Sequence, residues 1–424
     1  MSLVIENGRL VDPGNDRDET TSIYISNGKI AGIGRKPRGL EIKKRIDATN
    51  RLVFPGIVDL CARLREPGEE HKATILSEAR AAVAGGITRM VCPPDTHPII
   101  DTPAMAHMVQ DRADDAGLAR VHPLGALTVG LQGERLTDMA MLVDAGCVGL
   151  SNALETVENS LVMRRAMQYA STYGITVFLT PRDSWLQGNG VVHEGAVSTR
   201  LGLPAIPEAA ETVGVARDLA LIETSGVTAH FDLISCRRSV LKIGEAQRRG
   251  VPVSASVAIH HLHCTEDDIG AFDTRYKVMP PLRTRKDRDG LIKAVNNGQV
   301  AVICSDHQPH GADAKLAPFS EAAAGIAGLE TLLTLTWNLV EAGNLDLTAA
   351  ISALTVNPAR VAGLDAGTLG PGDSADLCIF DPERTWTLNS ETMKSNGRNT
   401  PFMDRPLNGQ VIKTLIRGKP VHSL

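Results

Sequence analysis

Polar and apolar positions divide the 424-residue chain into stretches of two different textures. At the N-terminus, "SLVIENGRLVD" and "SIYISNGKIAGIG" are short apolar-rich runs. Each is interrupted by Asn-Gly, a pair suited to the positive φ angles of a two-residue hairpin turn. The tail repeats this texture in "SADLCIFDP" and "GQVIKTLIRGKPV". Neither end carries enough apolar surface to fold alone. The two are therefore expected to pair into one small β domain, residues 1–52 with 365–424.

Between them, residues 53–364 alternate. Apolar, β-rich runs occur at 52–64, 87–95, 119–128, 147–152, 175–182, 227–235, 251–258 and 300–306. Segments with helical spacing separate them, among them "KATILSEARAAVAGG", "ETVENSLVMRRAMQYAST", "PEAAETVGVARDLALIETSG" and "RSVLKIGEAQRRG". Several end in Gly, as helix C-termini often do. Eight buried strands, most followed by a helix, predict an α/β fold with a (β/α)8 TIM barrel. A doubly wound open sheet is the runner-up, and the missing Gly-rich phosphate loop after the first strand counts against it.

Composition narrows the function classes. Hydrophobic residues at 43% and charged residues at 22% are ordinary for a globular chain, while 3% aromatics leave the core to Ala, Val, Leu and Ile. A net charge of −5 argues against nucleic acid or an anionic membrane as partner, and the basic run "RTRKDR" reads as a solvated helix start. No run approaches the roughly 20 apolar residues of a membrane span. The N-terminus lacks the basic-then-apolar order of a signal peptide. Seven cysteines without a CxxC pair fit reduced thiols in a cytoplasmic protein.

Barrels of this kind do chemistry at the C-terminal ends of their strands. Cys61 and Arg63 stand two apart at the first such end, so both point into the mouth. A His-x-His pair there would chelate a divalent metal. Cys61 could ligate as a thiolate, but Arg63 has no lone pair and a permanent charge. The eighth strand of a closed barrel neighbours the first, so Asp306 of "SDHQPH" is expected to pair with Arg63. The other ends offer Ser151 and Asn152, Thr180 and Arg182, and Asp232, Leu233 and Cys236, which are poor in ligands. His193, His260, His261 and His263 form no metal spacing and read as satisfied surface or core residues. A mononuclear centre from Cys61, Asp306 and His307 or His310 is the rival reading.

These residues carry a resemblance. The chain is similar, nearly end to end, to the dihydroorotases of the cyclic amidohydrolase superfamily. The likeness lies in "FPGIVDL" with "LREPG", "VVHEGAVSTRLGLPAIPEAAE" (191–211), "YKVMPPLR" (276–283), "SDHQPH" (305–310), "NPAR" (357–360) and "KSNGRNTPF" (394–402). It implies a metal-dependent-hydrolase barrel with a β domain from both chain ends. It also implies the interconversion of N-carbamoyl-L-aspartate and dihydroorotate by a zinc-bound hydroxide and an aspartate base. Against that pattern the metal-ligand positions fall on Cys61, Arg63, Asn152 or close by, Thr180 and Leu233, and only Asp306, the general-base position, is retained. Among the substrate contacts Arg65 and His310 remain, whereas Asp95 and Met279 stand where the family has asparagines. The family's zinc lowers the pKa of water from about 16 toward about 7, worth on the order of 10 kcal/mol in hydroxide availability.

The expectation is a non-catalytic dihydroorotase-like chain with no zinc cofactor. It is most similar to the inactive pseudo-dihydroorotase chain that assembles with the aspartate transcarbamoylase catalytic chain of some bacteria, and self-association as a homodimer is implied by the family. The alternative is an active zinc-dependent cyclic amidohydrolase with a rebuilt metal site. A small-anion sensor built on Arg65 and His310 is a third reading.

Overall fold

The computed structural model describes residues 2–424. Eight short strands form a barrel in the middle of the chain: Ile57–Asp59, Ile87–Cys92, Arg120–Pro123 continued by Gly125–Ala126, Leu150–Ser151, Val177–Leu179, Ala229–Phe231, Val253–Ala258 and Val302–Cys304. Neighbours run parallel throughout. The third strand spans two runs of pairing, its first half beside the second strand and its second half beside the fourth. The eighth closes on the first at Ala62 and His307, where Arg63 N donates to the His307 carbonyl and His307 N to the Cys61 carbonyl. The predicted TIM barrel is present, and each of the eight apolar runs contains one barrel strand.

The helices between them follow from local signals. Ile75–Ala84 starts at a capping box, with Thr74 Oγ1 accepting Ser77 N and Ser77 Oγ accepting Thr74 N. Ala209–Ser225 ends at Gly226, whose φ of +69° is the left-handed turn that glycine adopts without steric cost. Ser160–Thr172 and Arg237–Arg248 cover the other two quoted segments. "RTRKDR" opens the helix Arg285–Asn296 at the cap Thr284, with Arg285 and Lys286 exposed. Its first residue departs from the solvated reading, because Arg283 is 3% exposed.

Both chain ends share one eight-stranded sheet. Its order is Lys419–Ser423, Pro406–Ile416, Leu377–Thr387, Leu52–Pro55, Ser2–Asp12, Arg17–Ser26 and Lys29–Ile33, with Lys44–Asp47 also beside Ser2–Asp12. Leu52–Pro55 pairs with Ser2–Asp12 and Leu377–Thr387, so a boundary after residue 52 cuts a strand of the terminal sheet. The barrel begins only after Gly56, where a Cβ would stand 2.3 Å from Thr88 Oγ1. One Asn-Gly expectation also changes. Asn27-Gly28 turns a hairpin, whereas Asn7-Gly8 lies in a register irregularity within a single strand.

Three of the aromatics meet at the seam. Phe380 of the terminal sheet lies tilted 6.1 Å from Phe54 of the same sheet and edge-on 5.7 Å from Trp337 of the barrel-side helix Leu332–Glu341. Burying each phenyl ring contributes about 1.5–3 kcal/mol, so the seam is a hydrophobic joint. No helix among the described residues is long and apolar enough to cross a membrane. All seven cysteines are free and buried.

Candidate functional site

The first barrel strand runs out through Cys61, Ala62 and Arg63 into the mouth, all of them buried. Arg63 Nε donates to Asp95 Oδ2 at 2.7 Å, and Nη1 lies 3.4 Å from Asp306 Oδ1 and 3.8 Å from Cys61 Sγ. Its pairing with Asp306 is therefore present, but Asp95 makes the shorter and better hydrogen bond. Asp95 follows the second strand, which neighbours the first. The adjacency argument that placed Asp306 beside Arg63 applies to it equally. Burial opposes the Arg63 charge, yet Asp95, Cys61 and Asp306 together raise its pKa above the ordinary arginine value.

Asp306 is fully buried with φ +44°. Burial pushes its carboxyl up to about 7, against the pull of Arg63 and the Gln308 amide. Oδ2 has no hydrogen-bond partner. His260 Nε2 stands 3.9 Å away, and neither nitrogen of that ring is bonded. His260 is thus not the satisfied core histidine expected of the "IHHLHC" cluster, although His261 and His263 each contact a backbone carbonyl, those of Pro280 and Leu335. Burial holds the His260 ring well below the usual histidine range.

The remaining ligand positions are committed elsewhere. The Asn152 side chain accepts from Thr128 Oγ1 and donates to the carbonyls of Leu131 and Glu155, so it works as a loop clamp. Leu233 packs with Cys61, Ala258 and Cys304 in a small apolar floor. Thr180, Leu233 and Met279 line a void of about 20 Å³, room for little more than one water. Arg65 and His310 touch each other, Nη2 to Nε2 at 3.1 Å. His310 Nε2 is also 3.0 Å from the Ala324 carbonyl, so a neutral ring serves one of these neighbours at a time. Arg65 is further held by Glu69 at 3.2 Å and the Pro309 carbonyl at 3.2 Å.

This donor set does not fit a zinc ion. Zinc needs three or four deprotonated donors converging at about 2.0–2.3 Å. Among the described residues no three His, Cys, Asp or Glu side chains converge in that way. The Cys61 thiol is pushed well above its ordinary value by burial and then by Asp232, which disfavours the thiolate. Its sulfur lies 3.8 Å from Asp306 Oδ1 and 3.8 Å from Arg63 Nη1, so a guanidinium shares the corner where thiol and carboxylate meet and repels a cation there.

The retained motifs serve the scaffold. Arg283 Nη1 donates toward His193 Nδ1 at 3.0 Å and to the Ile206 carbonyl at 3.2 Å, and its Nε donates to Ser235 Oγ at 3.1 Å. Glu211 accepts the backbone N–H groups of Ser235 and Cys236. "HEG…GLP.IP" and "PPLR" are thereby locked to the sixth strand. Behind the mouth, Glu78 accepts from Ser395 Oγ at 2.6 Å and Asn396 N at 3.0 Å, with His307 Nε2 at 2.8 Å. His307 Nδ1 accepts Gly328 N–H, which leaves the ring hydrogen facing Glu78. Asn399 bonds the carbonyls of Gln308 and Gly325 and accepts His310 N. "SDHQPH" and "KSNGRNTPF" thus hold each other.

Residues 50–239 match the Dihydro-orotase-like family and residues 249–422 the Amidohydrolase family. The chain is 45% identical to a dihydroorotase-like protein of Pseudomonas aeruginosa, over 100% of both chains. It is 43% identical to a dihydroorotase of Anaeromyxobacter dehalogenans, over 99% of this chain and 98% of that one. Among solved structures, L-hydantoinase (dihydropyrimidinase) from Arthrobacter aurescens superposes with a TM-score of 0.88 at 24% identity, covering 99% of this chain and 96% of that one. That likeness shows the shared fold.

Proposed function

The chain belongs to the dihydroorotase-like amidohydrolases, and we propose that within them it is a non-catalytic member that holds no catalytic metal and supports the assembly and activity of aspartate transcarbamoylase in pyrimidine synthesis. One observation carries the loss of catalysis: the Arg63 guanidinium, hydrogen-bonded to Asp95 and paired with Asp306, fills the place where two first-strand imidazoles would grip a cation. A permanent charge there repels zinc and occupies the carboxylate that would act as base. The apolar floor at Leu233 and the committed amide of Asn152 supply no substitute.

The partner is argued from the resemblance. A well-packed barrel whose mouth is closed by its own ion pairs, joined through Phe380 to a second sheet, is suited to serve as an assembly element. Metal analysis of the purified chain is expected to give well under one zinc per chain, and dihydroorotate turnover no higher than a no-enzyme control. Stoichiometric zinc with saturable turnover would return the chain to the dihydroorotases whose name several relatives bear. Co-purification with the same cell's aspartate transcarbamoylase, its mass read by light scattering, tests the partner. Two proteins that elute apart at their separate masses would remove that half of the proposal.

A further inference from the structure

At the opposite end of the barrel from the mouth, positive charge collects in an open cavity of about 800 Å³. Its walls come from three places in the sequence. Arg89 and Arg120 lie near the starts of the second and third barrel strands. Lys29 follows the Asn27-Gly28 turn, and Arg417 and Lys419 flank the turn at Gly418. Arg89 and Arg120 are direct register partners on adjacent strands, an arrangement in which like charges repel. Five cationic heads thus share one concavity on a chain whose net charge is −5.

The carboxylates at hand do not balance them. Asp376 is saturated: Oδ2 takes Arg120 at 2.6 Å with Arg89 at 3.6 Å, and Oδ1 accepts Arg417 N and Ser374 Oγ. Asp365 also lines the cavity: its backbone carbonyl accepts from Arg89, and its carboxylate favours the Arg89 charge, one acid among five cations. Among the described residues the charged heads of Lys29, Arg417 and Lys419 have no carboxylate within 4.0 Å. Arg89 Nε is buried without a hydrogen-bond partner, although the side chain is 12% exposed. The field reaches inward as well. Burial, then Arg89 and Arg120, drive the His122 ring down to about 4.

We propose that this cavity is a binding site for a phosphate-bearing small molecule. Arginines offer planar forks for phosphate oxygens and lysines offer mobile point charges, and here both surround one space. A concavity lined by five cations against the single carboxylate of Asp365 concentrates anions. Its volume lies in the range of small-molecule sites, about 300–1,000 Å³, and exceeds what a lone phosphate fills. The site is independent of the chemistry of the mouth.

Titration calorimetry of the full chain with pyrophosphate at low salt tests this. Saturable one-to-one binding is expected, weakening as salt rises because the cations are exposed. The double variant Arg417→Asn/Lys419→Gln removes two of the five cations, and Asn tolerates the φ of +49° at position 417. It is expected to bind at least tenfold more weakly while melting no lower than the parent does. No saturable heat at low salt, or equal affinity in the double variant, overturns the site. A nucleoside triphosphate that binds more tightly than pyrophosphate supports an organic phosphate as occupant, and equal affinity of the two overturns that part.

Discussion

At the mouth of the barrel Arg63 is 5% exposed and meets Asp95 at 2.7 Å and Asp306 at 3.4 Å; at the base, Arg417 and Lys419 stand exposed around a cavity, their side-chain heads with no carboxylate within 4.0 Å. The mouth holds voids of about 20 and about 10 Å³, the base about 800 Å³. In barrels of this architecture the mouth is the customary place for chemistry. Here charge and space have parted from it. A buried cation with its own carboxylates is finished as electrostatics and becomes a structural pin. An exposed cluster with cations in excess remains able to take up a ligand. Balance of charge and open volume, more than position in the fold, distinguish the two ends.

The largest test of that contrast is Arg63→Ala. If Arg63 is a pin, its removal leaves Asp306 fully buried without a cation and Asp95 without its hydrogen bond, and stability is expected to fall by about 3–5 kcal/mol in urea unfolding. The loss depends on pH. The Asp306 carboxyl is already up at about 7, well above its unfolded value near 3.9, so below about pH 6 it is largely protonated and its share of the pairing is small. Without Arg63 its pKa rises further. The folded variant then binds more protons than the folded parent above pH 7, and the gap widens as pH rises from about 6 to 8. A loss under 1 kcal/mol at pH 8 would show that the mouth is no more tightly pinned than the base.

Glu78→Gln tests the carboxylate side of the same end at about 2–3 kcal/mol. It weakens the acceptor for Ser395, Asn396 and His307, three charge-assisted hydrogen bonds inside the protein. Burial would raise the Glu78 pKa, but His307, Ser395 and Ser77 outweigh it and hold the carboxyl low. A lowered folded pKa stabilises above the unfolded value near 4.3 and stops doing so as pH falls through the folded one. The variant's deficit is therefore expected in full at pH 7 and to fade below about pH 4. A deficit that does not change with pH would mean that Gln replaces the carboxylate as a neutral acceptor and that charge is not what holds the tail motif.

The double substitution Cys61→His/Arg63→His asks whether the pin alone stands between this chain and a metal centre. Leu233, Thr180 and the committed Asn152 still supply no ligands. The expected result is no turnover of dihydroorotate, zinc well below stoichiometric, and a stability loss of about 1–3 kcal/mol, smaller than for Arg63→Ala because an imidazole keeps an N–H donor for the two carboxylates. Measurable hydrolysis would show that the mouth is one step from function.

How far these features were legible differs by residue. The barrel was readable because eight Val- and Ile-rich runs alternate with segments of helical period, a signal spread over the whole chain. The Arg63–Asp306 contact was readable because closure of a barrel makes its first and eighth strands neighbours. The Asp95 contact rests on the same adjacency of the first and second strands, and it is masked in the sequence because Asp95 also falls on a substrate-contact position. Asn7-Gly8 was misleading, since the pair allows a bulge as well as a turn and only the partner strand decides. The unbonded His260 beside Asp306 depends on side-chain packing that no spacing encodes. The basic cavity has no local signature, because its five cations come from segments hundreds of residues apart.

The smallest expected effect sharpens the comparison most. Arg417→Asn/Lys419→Gln alters exposed side chains with no carboxylate within 4.0 Å, so stability at neutral pH should stay within about 0.5 kcal/mol of the parent. Its sign carries the information. Exposed cations that merely decorate the surface change nothing when removed. Cations that crowd Arg89, whose own charge is disfavoured by burial and by Arg120 and Arg417, repel one another, and removing two of them should raise the melting temperature slightly at low salt. Salt should erase that gain, since screening already weakens the repulsion in the parent. Saturating pyrophosphate should reverse the order of the two proteins, because a ligand at free concentration L that binds the folded state stabilises it by RT ln(1 + L/Kd), and the parent binds more tightly. A melting temperature lower than the parent's at low salt would mean that these side chains are pins like Arg63, and the two ends of the barrel would then be alike.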